Sequence, residues 1–405
     1  MMYEGTRGRA RVHAGVPSAW IAGLLIGVMF MGSTLVTPLY RLYRQAFGFS
    51  ELTLTLIYAA YVIGNMGALF FFGRLSDQIG RRSTSVPSMA LGGIASIVFL
   101  FAGGTAWLFV ARILSGLAIG IAAGTGTAWV AELVPDNDKA QSSMLATTAN
   151  FIGLAVGPLL AGVLAQYMPQ PLRTSWVAYL IMLGIVAWQI FSLEETVRRP
   201  VKRLSEVAFR ARLGVPHKIR KPFLPPAVAA FATFALIGYY AALAPSLLAE
   251  DLAIKSPAVA GIVVAEMFLV AAGVVILTRR LRSRTAMLSG LLFLLPSLAC
   301  LLVAQSFASL SLLMIGTTLG GVASALGYRG TLQVVNGIAP SEQRAEVISS
   351  YLIACYLGNS IPVIGIGVLS MLYGHLTAYY VFAATVAVLG AAALFTGWRY
   401  TPREE

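Results

Sequence analysis

The chain of 405 residues is 58% hydrophobic and only 11% charged, a balance that excludes a water-soluble fold, since soluble domains run closer to half apolar and a quarter charged. Its net charge of +13 invites a nucleic-acid reading, but the basic residues stand in short clusters between long apolar runs, which excludes that too. A bilayer span takes about 20 apolar residues, and such windows recur along almost the whole sequence.

Taken in order, residues 1–17 form a basic tail with Arg7, Arg9 and Arg11. The apolar run that starts at Ser18 has full span length and no convincing cleavage site, so it is predicted as a first helix and not a cleaved signal. Charges, prolines and glycines then divide the chain into twelve predicted helices. The first six cover roughly 18–40, 52–73, 84–103, 106–131, 142–167 and 174–193, and the last six roughly 225–248, 256–277, 285–304, 309–334, 346–372 and 376–399. The expected organisation is an N-terminal bundle over 18–193, a basic linker over 194–224, a C-terminal bundle over 225–400 and a short tail over 401–405. The linker alone holds nine Lys or Arg.

With both termini on one face, that face collects most of the basic residues, while the other holds only Arg41, Arg44, Arg173 and Lys255. Short-loop Lys and Arg stay cytoplasmic. The expectation is a protein of the inner (cytoplasmic) membrane with both termini and the linker in the cytoplasm. Tyr40, Arg41, Tyr43 and Arg44 are predicted at the outer rim of helix 1, and Arg329 as a snorkelling residue.

The sequence also repeats itself. A-E-L-V-P-D-N-D-K-A-Q at 131–141 aligns with N-G-I-A-P-S-E-Q-R-A-E at 336–346, an offset of 205. The same offset sets the charged turn Gly73–Arg82 against Thr278–Arg284 and Gly153 against Gly358, and Pro38 matches Pro245 after a slip of two residues. Two six-helix halves related in this way are a transporter layout, with the substrate site between them near the bilayer midplane.

The turn from Gly73 to Arg82 reads G-R-L-S-D-Q-I-G-R-R. Its glycines permit a tight turn, and Asp77 has Arg74 and Arg81 within helical reach. Gly73, Leu75, Asp77, Gly80, Arg81 and Arg82 resemble the signature between helices 2 and 3 of the major facilitator superfamily, and the resemblance extends over nearly the whole chain. It implies an all-α membrane protein of twelve transmembrane helices in two pseudo-symmetric six-helix bundles, the major facilitator fold. In that family the loop latches the halves together on the cytoplasmic side. The counterpart loop carries Arg282 in place of Asp77, so the latch is expected in the first half alone.

Gly153, Gly157, Pro158 and Gly162 in helix 5 resemble the antiporter motif of the drug-efflux branches, although the motif's upstream glycine falls on Met144. Small residues at this spacing let helices pack closely, and the proline permits a bend. Arg112-Ile-Leu-Ser-Gly116 resembles a third family motif, with Ser115 replacing glutamine. Arg112 is a candidate for proton coupling or substrate binding; snorkelling to the nearer surface is the structural alternative. Glu266 in helix 8 is predicted as the lone carboxylate in a span core. An acid there can exchange between protonated and charged forms, so it is the second candidate for proton coupling or substrate binding. A neutral acid in an interhelical hydrogen bond is its structural alternative. Tyr58, Tyr61, Asn65, Asn150, Tyr239, Tyr240, Tyr351 and Tyr356 are candidate cavity lining, with helix packing as the competing explanation.

Cys300 and Cys355 fall in predicted spans, so no disulfide framework is implied. The histidines at 13, 217 and 375 are widely separated, and no metal or cofactor is expected. A P-loop is missing and no nucleophile and base cluster together, so neither ATP drive nor an enzyme is expected. The expected function is proton-coupled export of a small amphipathic or cationic molecule by alternating access. The expected partners are that substrate, protons and membrane lipid, but no nucleic acid, and the chain is expected to work as a monomer. Import of a metabolite with protons is the nearest alternative, and a non-transporting receptor the remote one.

Overall fold

A computed structural model describes residues 16–73, 75–197 and 213–400. Residues 1–15 with their three arginines, Arg74, the linker core 198–212 and the tail 401–405 lie outside the described residues. Among the described residues, twelve helices are long and apolar enough to cross a membrane. They are α1 (Val16–Thr34), α2 (Glu51–Gly67), α3 (Arg81–Leu100), α4 (Thr105–Leu133), α5 (Lys139–Tyr167), α6 (Pro171–Ser192), α7 (Arg220–Glu250), α8 (Pro257–Leu277), α9 (Ser283–Ser306), α10 (Leu310–Ile338), α11 (Arg344–Tyr373) and α12 (His375–Tyr400). No strand occurs among the described residues.

Local chemistry sets many of the helix ends. Ser50, Asp138, Ser256 and Ser309 accept hydrogen bonds from backbone N–H groups in the first turns of α2, α5, α8 and α10, which satisfies donors that a helix start leaves free. Two ends depart from expectation. The first apolar run does not continue straight to residue 40 but breaks at Thr37–Leu39 and resumes as a short helix, Tyr40–Phe47. Tyr40 and Tyr43 are therefore not rim residues; both are buried, and the indole N–H of Trp176 donates to the Tyr43 hydroxyl at 2.9 Å. Helix α7 starts at Arg220, ahead of Pro225 and Pro226. The carbonyls those prolines leave unbonded belong to Lys221 and Pro222, near an exposed helix start where water can take them.

The first six helices pack as one bundle, with α1 against α4, α5 and α6, and α3 between α4 and α6. The last six repeat the arrangement, with α7 against α10, α11 and α12, and α9 between α10 and α12. The bundles meet along two seams, α2 with α11 and α5 with α8. The sequence offset carries α2 onto α8 and α5 onto α11, so these seams are exchanged by the repeat's own symmetry. Ile63, Trp188, Leu269 and Val388 project outward, as a belt facing hydrocarbon must. One end of the barrel carries the Gly73–Arg82 turn and the Thr278–Arg284 turn and is called the basic end below.

Candidate functional site between the two bundles

A cavity of about 110 Å³ lies between the bundles. Eight rings line it: Phe30, Tyr58, Tyr61 and Phe151 from the first half, and Phe234, Phe268, Tyr328 and Tyr356 from the second. Asn65, Asn150 and Asn359 supply amides, Ser33 and Thr34 hydroxyls, and Cys355 a thiol; no carboxylate lines it among the described residues. Of the lining predicted from sequence, Tyr58, Tyr61, Asn65, Asn150 and Tyr356 are brought together here. Tyr239, Tyr240 and Tyr351 are not. Tyr239 stacks on Phe382 with ring centres 5.2 Å apart, Tyr240 bonds to Thr317 and Tyr351 to Thr331. All three pack on side chains of their own bundle, outside the cavity.

Asn359 went unrecognised in the sequence, although it follows Gly358, which the repeat sets against Gly153. Its Oδ1 accepts from the Tyr58 hydroxyl at 3.2 Å and its Nδ2 donates to the Tyr61 hydroxyl. One amide of α11 thus ties two rings of α2 across the bundle boundary. A polar residue in mid-span was the available signal.

Arg112 does not snorkel. It is 1% exposed, and its guanidinium donates to the Ser33 carbonyl at 2.9 Å and the Tyr58 carbonyl at 3.3 Å. Its Cζ stands 4.6 Å from the Tyr61 ring centre and 5.5 Å from that of Tyr58, close enough for a cation–π attraction. Gly116, one turn on, permits this approach, since a Cβ there would meet the Tyr61 carbonyl oxygen at 2.0 Å. Ser115, where the family motif has glutamine, turns back to the Arg112 carbonyl at 2.9 Å. The buried charge therefore braces the cavity wall from behind, through Tyr58, Tyr61 and α1.

The small residues of α5 serve two contacts, one with α1 inside the bundle and one with α8 across the seam. A Cβ on Gly153 would meet the Gly27 carbonyl oxygen at 2.1 Å, and one on Gly157 the Met31 carbonyl oxygen at 2.4 Å, both on α1. One on Gly162 would meet the Pro257 carbonyl oxygen of the other bundle at 2.5 Å. Pro158 has no N–H for the Leu154 carbonyl, and the Thr34 hydroxyl donates to that carbonyl instead, at 2.9 Å. The same arrangement recurs across the bundles: Pro245 frees the Ala241 carbonyl, and Thr37 donates to it at 2.7 Å. Leu154 and Ala241 both line the cavity, so both bends lie at its wall.

At the basic end, Arg81 is 6% exposed and forks onto Glu132 at the end of α4, with contacts of 2.6 and 3.2 Å. It also meets Asp77 at 2.5 Å and Ser76 at 2.7 Å. Glu195 closes over the turn, accepting from the backbone N–H of Arg81 and Arg82 at 2.8 and 3.0 Å. Gly80 is needed under it, with φ at +108° and no room for a side chain. The hydrogen bonds described for Asp77 stay within the first bundle. Arg329 is no snorkelling residue either: it gathers the carbonyls of Thr278, Arg279 and Leu281. Each half thus ties its basic turn to the fourth helix of its bundle by an arginine, donated from the turn in one half and from the helix in the other.

Glu266 is not brought to the cavity. Its neighbours on α8, Ile262 and Leu269, are 45% and 50% exposed, but Glu266 is only partly exposed and its Oε2 is buried with no partner, so the carboxyl turns in against α10. The Thr318 hydroxyl of α10 donates to its Oε1 at 2.7 Å. Helical phase is the reason: Phe268, two residues on, is the α8 side chain that reaches the cavity. The geometry is that of an interhelical hydrogen bond within the second bundle.

Two symmetry-related bundles around a mid-membrane cavity define a secondary transporter. The Major Facilitator Superfamily profile matches residues 22–307, and the chain belongs to that family. It is 25% identical over 346 residues to the multidrug resistance protein MdtL of Klebsiella pneumoniae, covering 82% of this chain and 85% of that one. The quinolone resistance protein NorA of Staphylococcus aureus is 24% identical over 141 residues, about a third of either chain. Among solved structures, the nucleoside transporter NupG superposes with a TM-score of 0.71 at 12% identity, covering 94% of this chain and 99% of that one. A bacterial homologue of the lysosomal transporter Spinster gives 0.71 at 15% identity, covering 94% and 96%. The fold is that of a multi-pass major facilitator transporter.

Proposed function

We propose that this transporter exports a small amphipathic molecule with aromatic or cationic character, driven by protons moving inward. The observation that carries the proposal is the lining of the cavity: among the described residues, eight rings, three amides and no carboxylate. Rings hold flat apolar or cationic groups, while the amides orient a few polar atoms, the composition expected of a small-molecule pocket. Resistance proteins among the relatives favour export. The small-residue seam of α5, with Gly153, Gly157, Pro158 and Gly162 at both helix contacts, supports the same direction through its likeness to the antiporter motif.

The basic end is taken as cytoplasmic, since short-loop Lys and Arg stay on that side. Both termini then lie inside, in the cytoplasmic membrane. One chain encloses the whole cavity, which supports a monomer as the working unit. The bonds described between bundles run from Asn359 to the far rim, so this conformation is read as closed outside. The bonds described for Asp77 and Arg81 stay within their own bundle, as those of a latch awaiting the opposite state would.

Membrane vesicles of the two orientations test the proposal. Inverted vesicles with an acid interior are expected to accumulate fluorescent amphipathic dyes, and a protonophore should abolish the accumulation. Accumulation in right-side-out vesicles only, or accumulation indifferent to the gradient, would overturn it.

A further inference from the structure

Opposite the basic end, five ionisable side chains converge where the bundles close: Arg44 and Glu51 from the first half, and Glu250, Asp251 and His375 from the second. Arg44 meets Glu250 at 2.9 Å across the boundary. The Ser370 hydroxyl donates to Glu51 Oε2 at 2.7 Å, also across it, and Glu51 Oε1 is buried with no partner. Asp251 Oδ1 lies 2.9 Å from His375 Nε2, while Gln305 Nε2 donates to its Oδ2 at 2.8 Å. The side chain of Asp251 is 7% exposed and that of His375 45%, so the imidazole reaches solvent and the carboxylate does not. The buried rings of Tyr239 and Tyr379 lie within electrostatic reach of Glu51 and Asp251.

The charges in this cluster do not balance. Arg41 and Lys255 stand beside it on the same boundary, where Arg41 donates to the Lys255 carbonyl at 2.8 Å. Within the cluster Glu51, Glu250 and Asp251 face one permanent cation, Arg44, and with His375 neutral these five groups carry two negative charges in excess. Protonating His375 removes one, and one proton held among the carboxylates removes the other. Like charges confined away from water repel strongly, so closing this rim favours proton uptake, and uptake favours closing.

We propose that Glu51, Glu250, Asp251 and His375, with Arg44, form a proton-binding outer gate that closes as it takes up protons from the solution on that side. The proposal rests on the proton-driven reading above and gives it a residue-level site. Protons enter through the exposed imidazole after substrate has left outward, and their binding returns the carrier to the state closed outside.

The test measures the gate and not the flux. Spin labels on Gln45→Cys and Phe307→Cys, exposed residues at this end of opposite bundles, report its opening in a background carrying Cys300→Ser and Cys355→Ser. As pH falls from 8 to 5, the short-distance population should grow, with the closed-to-open ratio changing about tenfold per pH unit for each linked proton. Glu51→Gln should raise the closed population at pH 8 and flatten the titration by one proton. His375→Asn should flatten it likewise, and Arg44→Gln should open the gate at every pH. A titration without pH dependence in the unsubstituted gate overturns the proposal, and so does a full response in Glu51→Gln combined with His375→Asn. Gate closure on acidification without proton-dependent vesicle transport would refute the export reading alone. Proton-driven transport with a pH-indifferent gate would refute the gate alone.

Discussion

Replacing Thr37 by valine keeps its branched shape but exchanges the hydroxyl for a methyl group, removing the O–H that donates to the Ala241 carbonyl at 2.7 Å. Thr37 is 1% exposed, so water cannot substitute. Pro245 has no N–H to offer that carbonyl, and no neighbouring turn supplies one. A buried carbonyl left unpaired costs about 1–3 kcal/mol, and interhelical bonds in membranes average ~0.6 with a ceiling near ~1.7 kcal/mol. A cost of about 1–2 kcal/mol is expected, and it falls on the outwardly closed state because the bond crosses the bundles. The closed-to-open ratio should drop about 5- to 30-fold. Pro245→Ala restores an N–H for Ala241, so Thr37→Val should cost little in that background; this double-mutant cycle isolates the bond. Thr34→Val is the control, since its bond to the Leu154 carbonyl lies within one bundle. It should lower thermal stability by a similar amount and leave the gate equilibrium alone. Spin-label distances across the outer rim read the first effect and thermal unfolding the second. Equal costs of Thr37→Val with and without Pro245 would refute the reasoning.

Three further outcomes are expected. Gly162→Val sets a side chain 2.5 Å from the Pro257 carbonyl oxygen; with backbone on the other side, it should hold α5 and α8 apart and increase labelling of outer-rim cysteines. Glu266→Gln should retain proton-driven dye transport within about threefold, because its carboxyl packs beside Thr318 within the second bundle and outside the cavity, a change of less than ~1 kcal/mol; loss of proton dependence in vesicles would return Glu266 to the mechanism. Burial pushes the Asp251 carboxyl up, although the facing His375 and Gln305 draw it down. The folded protein therefore holds that proton more tightly than the unfolded chain, and the stabilisation is complete below about pH 4 and fades as pH rises through the higher folded value. Thermal midpoints should fall over that range, and Asp251→Asn should flatten the curve.

Much of the architecture was legible because hydrocarbon imposes it. Twelve apolar runs, an offset of 205 residues and a lopsided distribution of basic loops follow from requirements that hold residue by residue along the chain. The glycines of α5 were legible in the same way, since their spacing is itself the seam. The partners of the charged residues were not. Arg81 was seen with Asp77, four residues away, but Glu132 and Glu195 lie 51 and 114 residues off. Asp251 and His375 stand 124 residues apart in sequence and drew no notice as a pair.

Helical phase marks the division most clearly. The sequence by itself determined that the chain crosses the membrane twelve times in two repeated halves, and that it keeps a few polar groups within the spans. It left open which face of each helix looks inward. An apolar helix in lipid has no polar side to betray its orientation, as it would have in water. Only packing against neighbours decided that Asn359 and Tyr61 meet in the cavity while Tyr239 and Tyr351 turn away. The same packing kept Glu266 out of the cavity, beside Thr318, and gathered Glu51, Glu250, Asp251 and His375 where the two halves close.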